Sequence, residues 1–142
     1  MDQNQQALVR ASFAKVAPIS DLAAAMFCDR LFAIEPGLRP LFKHDMKRQG
    51  EMLMAVLATA VGNLHRIDQI LPTVRALGRR HAGYGVKDCD YDTVAVALLG
   101  TLEAALRDNF TPEVRSAWVA CYSALAGEMK AAATEADALS AA

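Results

Sequence analysis

The stretch from Val74 to Leu98 constrains the fold more than any other part of the chain. Val74, Leu77, Gly78 and His81 follow an i, i+3, i+4, i+7 spacing, which puts them on one side of a helix. Gly83 and Gly85 then stop that helix, because helix ends commonly need the left-handed backbone that glycine adopts without strain. Asp88 or Asp90 caps the following helix, in which Tyr91, Val94 and Leu98 share a face. A histidine thus points inward from the end of one short helix, beside a tyrosine that opens the next. On spacing alone, such a histidine is more often a hydrogen-bonded core residue than a ligand.

Helical periodicity continues on both sides of this stretch, and no segment alternates as a half-buried strand would. Asp2 or Asn4 caps a first helix carrying Leu8, Phe13 and Val16, which Pro18 ends. Ser20 caps a second, running to about Ile34, with Met26 or Phe27 and then Arg30/Leu31 inward and Cys28 on an adjacent angle. Pro36 and Pro40 break the chain into a corner that ends at Phe42, a large apolar group that must be covered. A third helix starts near Met46 and presents Gln49, Leu53, Val56/Leu57 and Ala60 on one face. Gln49 at the head of an apolar stripe either reaches water or finds a partner, because a buried unpaired amide costs about 1–3 kcal/mol. After the helix that ends at His81, one long helix spans roughly Tyr91 to Asn109. Another is capped by Thr111, with Pro112 at its first position. Its inward stripe is Trp118, Cys121/Tyr122, Leu125, Met129 and Ala132, and Glu135 continues it.

With 54% hydrophobic residues in 142, alanine prominent, the chain can bury one helical core. A single domain is expected over residues 1–142, with the small residues after Glu135 frayed. A net charge of −1 argues against a nucleic-acid surface. The polar start is unlike a signal sequence, and no apolar run reads as a bilayer span. Cys28, Cys89 and Cys121 have neither metal-type nor disulfide-framework spacing, so reduced thiols in the cytoplasm are expected. The product is an all-α chain in which two helices each offer a polar side chain, Gln49 and His81, from an apolar face. Such an arrangement suits a flat apolar cofactor clamped between helices.

The motif Leu77-Gly-Arg-Arg-His81, followed by Tyr91, resembles the proximal region of bacterial globins: the globin domain of flavohaemoglobins and the single-domain globins related to it. The resemblance runs from about Gln6 to Glu135. It implies a globin fold, a three-over-three helical sandwich around one haem b (iron protoporphyrin IX). It makes His81 the proximal iron ligand, Phe42 the phenylalanine lying flat on the haem, Gln49 the distal glutamine and Leu53 the apolar residue over the ligand site. Leu77 and Val86 join them in the pocket. Tyr91 and Glu135 fall where flavohaemoglobins place a tyrosine and a glutamate that hydrogen-bond to the proximal histidine. A carboxylate there makes the imidazole a stronger donor and favours O–O bond activation over reversible binding. The plainer reading of Glu135 is a solvated helix end.

One position departs from the pattern. Where the family has tyrosine in Phe-Tyr-x-x-Leu-Phe, this chain has Phe27-Cys28-Asp29-Arg30-Leu31-Phe32. A thiol is a weak donor, so weaker retention of oxygen is expected, with Gln49 as the main donor. Cys28 as a small core residue is its commoner fate. His44 could swing in as an internal sixth ligand, although a solvated loop histidine is the simpler reading. His65 is expected at the surface, and Arg79 and Arg80 either solvate the helix end or meet a haem propionate.

The resemblance implies binding of O2, NO and CO, and nitric oxide detoxification by dioxygenation, in which nitric oxide, dioxygen and one electron give nitrate. These residues hold no Gly-rich dinucleotide fingerprint, so a separate reductase is expected to supply the electron. The competing readings are non-enzymatic oxygen storage or delivery, and a haem-based sensor or interaction domain. Monomer and homodimer both remain open.

Overall fold

The computed structural model describes residues 1–42 and 45–141, with side chains through Glu135. Six α-helices and four short 3-10 turns account for nearly all of it, with no strand among the described residues. The helices are α1 (Gln3–Val16), α2 (Ser20–Ile34), α3 (Met46–Gly62), α4 (Leu71–Gly83), α5 (Asp88–Leu106) and α6 (Pro112–Ala141). Asp2 caps α1 by accepting from the Gln5 N–H at 2.7 Å, and the Gln5 side chain accepts in return from the Asp2 N–H at 3.1 Å. This reciprocal pairing satisfies two of the donors that every helix start leaves open.

Three helix boundaries differ from expectation. Ser20 is the first residue of α2 rather than its cap, because the 3-10 turn Ala17–Ile19 keeps the chain helical past Pro18 and the Ser20 N–H bonds back to the Ala17 carbonyl. Lys87 occupies the cap position of α5. Asp90 serves it from inside the helix by accepting from the Lys87 N–H at 2.8 Å. Helix α6 continues to Ala141, through residues expected to fray. The stretch Gln3–Ile34 is, contrary to expectation, long and apolar enough by composition for a membrane span. Here it is two helices, and Val9, Phe13, Val16, Ala23, Phe27 and Leu31 from it are core.

These residues meet Leu98 and Leu102 of α5 and Ala117, Trp118 and Cys121 of α6 in one cluster. Trp118 is 1% exposed. Its indole N–H donates to the Ser12 hydroxyl at 2.8 Å, and that hydroxyl donates to the Leu8 carbonyl at 2.7 Å. A buried donor is thereby satisfied by a group that would otherwise serve only its own helix.

Helix packing decides where a ligand can sit. Helix α2 lies against α3 and α5, α1 against α6, and α4 against α6. Among the described residues, the close backbone approaches of α3 are to α2 and α1 rather than to α4. The backbones of α3 and α4 therefore stand apart, and the space between them is called the gap below. On the far side of α4 the helices approach closely at Gly78, where a Cβ would fall 2.6 Å from the Met129 Cα of α6. Glycine is required there by space, not by backbone conformation.

Candidate functional site

The elements flanking the gap carry apolar side chains left half-buried: Leu41 and Phe42 at the corner, Leu53 and Leu57 on α3, Val74 and Leu77 on α4. The packed core, in contrast, is 0–9% exposed. A group of apolar side chains left partly exposed on facing elements is what a covering partner requires. The corner is a 3-10 turn, Pro36–Leu41, started by Glu35, whose carboxylate accepts from the Gly37 N–H at 3.0 Å. Phe42 closes it and meets the Phe32 ring edge-on, centroids 5.2 Å apart. Arg39 lies 5.4 Å from the Phe32 ring centre.

His81 lies in the last turn of α4, half-buried. Its carbonyl accepts from the Val86 N–H at 3.0 Å, which folds the loop after α4 back onto the helix. Gly85 permits that fold with φ +94°, and Leu41 of the corner lies 3.6 Å from where its Cβ would be. The loop and the corner thus close one end of the gap. The imidazole Nδ1 is buried, and among the described residues no acceptor meets it with hydrogen-bond geometry. Burial pushes the His81 pKa down; the Leu77 carbonyl one turn back opposes this, and Arg80 adds to it. A neutral imidazole is the form that binds a metal.

The neighbouring tyrosine faces the histidine, but among the described residues it makes no hydrogen bond to it, unlike the pairing the resemblance implies. Tyr91 is 7% exposed, with its ring nearly parallel to that of His81 and centroids 6.5 Å apart. Burial, then Asp88, raises its pKa, so the phenol stays protonated. Two residues of α6 that sequence reasoning did not single out for the site hold it. The Tyr122 hydroxyl donates to the Tyr91 carbonyl at 2.7 Å, and the Lys130 ammonium sits 5.6 Å from the Tyr91 ring centre.

Glu135 is not where the resemblance implies. It is exposed, and its carboxylate pairs with Arg75 of α4. Arg75 also meets Glu128 at 2.9 Å. The hydrogen bond to Arg75, above all, holds the Glu135 carboxyl below its ordinary range. The stripe from Trp118 to Ala132 does face inward, but Glu135 comes one turn later and pairs with a guanidinium two turns before the histidine. The signal was present in the sequence: Glu128 and Glu135 are seven residues apart, so they share a face of α6.

On the opposite wall, Gln49 is half-buried in the first turn of α3. That helix is capped by Asp45, which accepts from the Arg48 N–H at 3.0 Å. Cys28 is buried on α2, and burial followed by the nearby Asp29 charge raises its pKa. It is a protonated thiol. His44 lies outside the described residues. His65, Arg79 and Arg80 are exposed.

A family model described as Globin matches residues 25–129. The chain belongs to the globin family. Among solved structures it is similar to an engineered carbene transferase that carries the description of a nitric oxide dioxygenase from Rhodothermus marinus. The TM-score is 0.90 at 23% identity, over 100% of this chain and 99% of that one. At that identity the likeness speaks for the fold, which is the all-α globin fold. The residues matched include all of α3, α4 and α5, the three elements around the gap. Membership implies a haem, and the residues present suit one: half-buried apolar side chains on α3 and α4, and a histidine whose buried Nδ1 leaves Nε2 as the nitrogen for iron.

Proposed function

We propose that this globin binds haem b between α3 and α4 with His81 as the proximal ligand, takes up O2, NO and CO, and acts in nitric oxide detoxification with electrons from a separate reductase. The observation that carries this is His81 itself, a half-buried imidazole with a buried Nδ1 in the last turn of a helix whose backbone stands away from α3. When bound, haem supplies an iron that coordinates diatomic ligands and changes valence by one electron. The chain does the rest. Phe42, Leu53, Leu77 and Val86 exclude water from the macrocycle. Gln49 offers the amide that can donate to a ligand on the distal side. Tyr91 limits rotation of the imidazole by stacking beside it.

The second reading, oxygen storage or delivery without turnover, is favoured by two observations. The Glu135 carboxylate is committed to Arg75, which removes the anionic partner that would strengthen His81 as a donor. A thiol stands where a phenol would retain oxygen. The first test is the absorption spectrum of the purified protein, ferric and then reduced, with and without carbon monoxide. A Soret band lost in His81→Gly and restored by imidazole is expected. No Soret band after haem addition would defeat both readings. Nitrate formation from oxygen and nitric oxide, with a generic reductant, then separates them.

A further inference from the structure

A positive charge stands close to His81 that the functional reading leaves unused. Three side chains from three helices follow one another there. Tyr91 of α5 lies nearly parallel to the His81 imidazole of α4, with centroids 6.5 Å apart and ring planes at 24°. The Lys130 ammonium of α6 stands over the Tyr91 ring, 5.6 Å from its centre. Tyr122, eight residues before Lys130, lies on the same face of α6. Its hydroxyl donates to the Tyr91 carbonyl at 2.7 Å and ties α6 to the start of α5.

No carboxylate neutralises this ammonium at close range. Glu128 and Glu135, the acids on either side of Lys130 along α6, both pair with Arg75. Among the described residues Lys130 makes no ion pair. Asp88 acts on Tyr91, but it is exposed in the first turn of α5, where water and salt screen it. Arg80 acts on His81 with the same sign as Lys130 and is also exposed. Lys130 is half-buried, and the tyrosine that adjoins both it and the histidine is 7% exposed. A field crossing low-dielectric protein is weakened far less than one crossing water.

The sign of the charge is the point of interest. A carboxylate beside a ligating histidine strengthens the imidazole as a donor to its metal. Here the charged group against the tyrosine is a cation, and the one carboxylate that the resemblance would place there is held by Arg75. An ammonium in this position disfavours anionic character on the imidazole. It also favours the iron valence that carries one positive charge fewer.

We propose that Lys130, acting across Tyr91, raises the reduction potential of the haem iron held by His81, so that this globin favours the ferrous, ligand-binding form. This rests on the haem reading. Lys130 is a positioning residue, acting by its charge and not by contact with the iron or its ligands.

The test is spectroelectrochemical titration of the haem-loaded protein at neutral pH. Lys130→Met keeps an unbranched apolar stem and removes the charge, whereas Lys130→Glu reverses it. The midpoint should fall in Lys130→Met and fall about twice as far in Lys130→Glu, because a Coulomb shift is linear in charge. Lys130→Arg should stay near the wild-type value. A purely structural role would move the Met and Glu variants without that proportion. An unchanged midpoint in both, or a rise in either, would overturn the proposal. The contact is read separately by NMR of the diamagnetic carbon monoxide complex. Nuclear Overhauser effects between the Lys130 ε-methylene and the Tyr91 ring are expected, and their absence would remove the basis of the proposal. Failure to take up haem would sink the haem reading and this inference with it; haem uptake with a midpoint independent of charge at Lys130 would sink this inference alone.

Discussion

Replacing Gly78 by alanine tests the contact that sets α4, and with it His81, against α6. An added Cβ would lie 2.6 Å from the Met129 Cα and 2.8 Å from its carbonyl carbon, whereas ordinary contact begins at 3.4 Å. Both atoms are backbone, so no side chain can rotate away, and the helices must part by close to an ångström. Overpacking where side chains can adjust costs about 1–3 kcal/mol, and a backbone collision belongs at the upper end. Removing a glycine from a helix interior returns about 1 kcal/mol. The net expectation is a loss of about 2 kcal/mol, or roughly 6 °C in Tm for a chain of this size. Gly127 on α6 is the control, since a Cβ there meets nothing within 4 Å. Gly127→Ala should gain up to about 1 kcal/mol from helix propensity alone. Urea unfolding of both variants at equal haem occupancy measures the difference. Equal stabilisation in both would refute the close approach of α4 to α6.

Two further outcomes follow from the same packing. Ser12→Ala removes the acceptor of the Trp118 N–H in the core and should cost about 1–3 kcal/mol, read by denaturant unfolding with tryptophan emission as probe. No loss would mean that the indole finds another partner. Glu135→Gln should leave the iron–histidine stretching frequency of the reduced protein unchanged, because its carboxylate serves Arg75; a downshift by resonance Raman would instead restore Glu135 to the proximal network.

Much of the site was legible because it depends on local rules. The i, i+3, i+4, i+7 spacing put His81 on the face of Gly78, and the positive φ needed after α4 falls on Gly85. Thr111 caps α6 as its sequence position implies, accepting from the Val114 N–H at 3.2 Å. The start of α2 was misplaced for an equally local reason: a proline in the first turn of a 3-10 helix lets the chain stay helical, so no cap is needed at Ser20.

Glu135 marks the limit of such reasoning. Its place on α6 is a matter of periodicity, but which cation it meets depends on how α6 lies across α4. Arg75, sixty residues away in sequence, is nearer than His81. The sequence by itself determined an all-helical chain, its breaks, and which residues would face inward, because capping, proline geometry and hydrophobic periodicity act within a few residues. Only the tertiary structure decided that α4 rests on α6, that Gly78 is a point of close approach between them, and that Glu135 meets Arg75. Those follow from how distant surfaces fill space together, which no local pattern encodes.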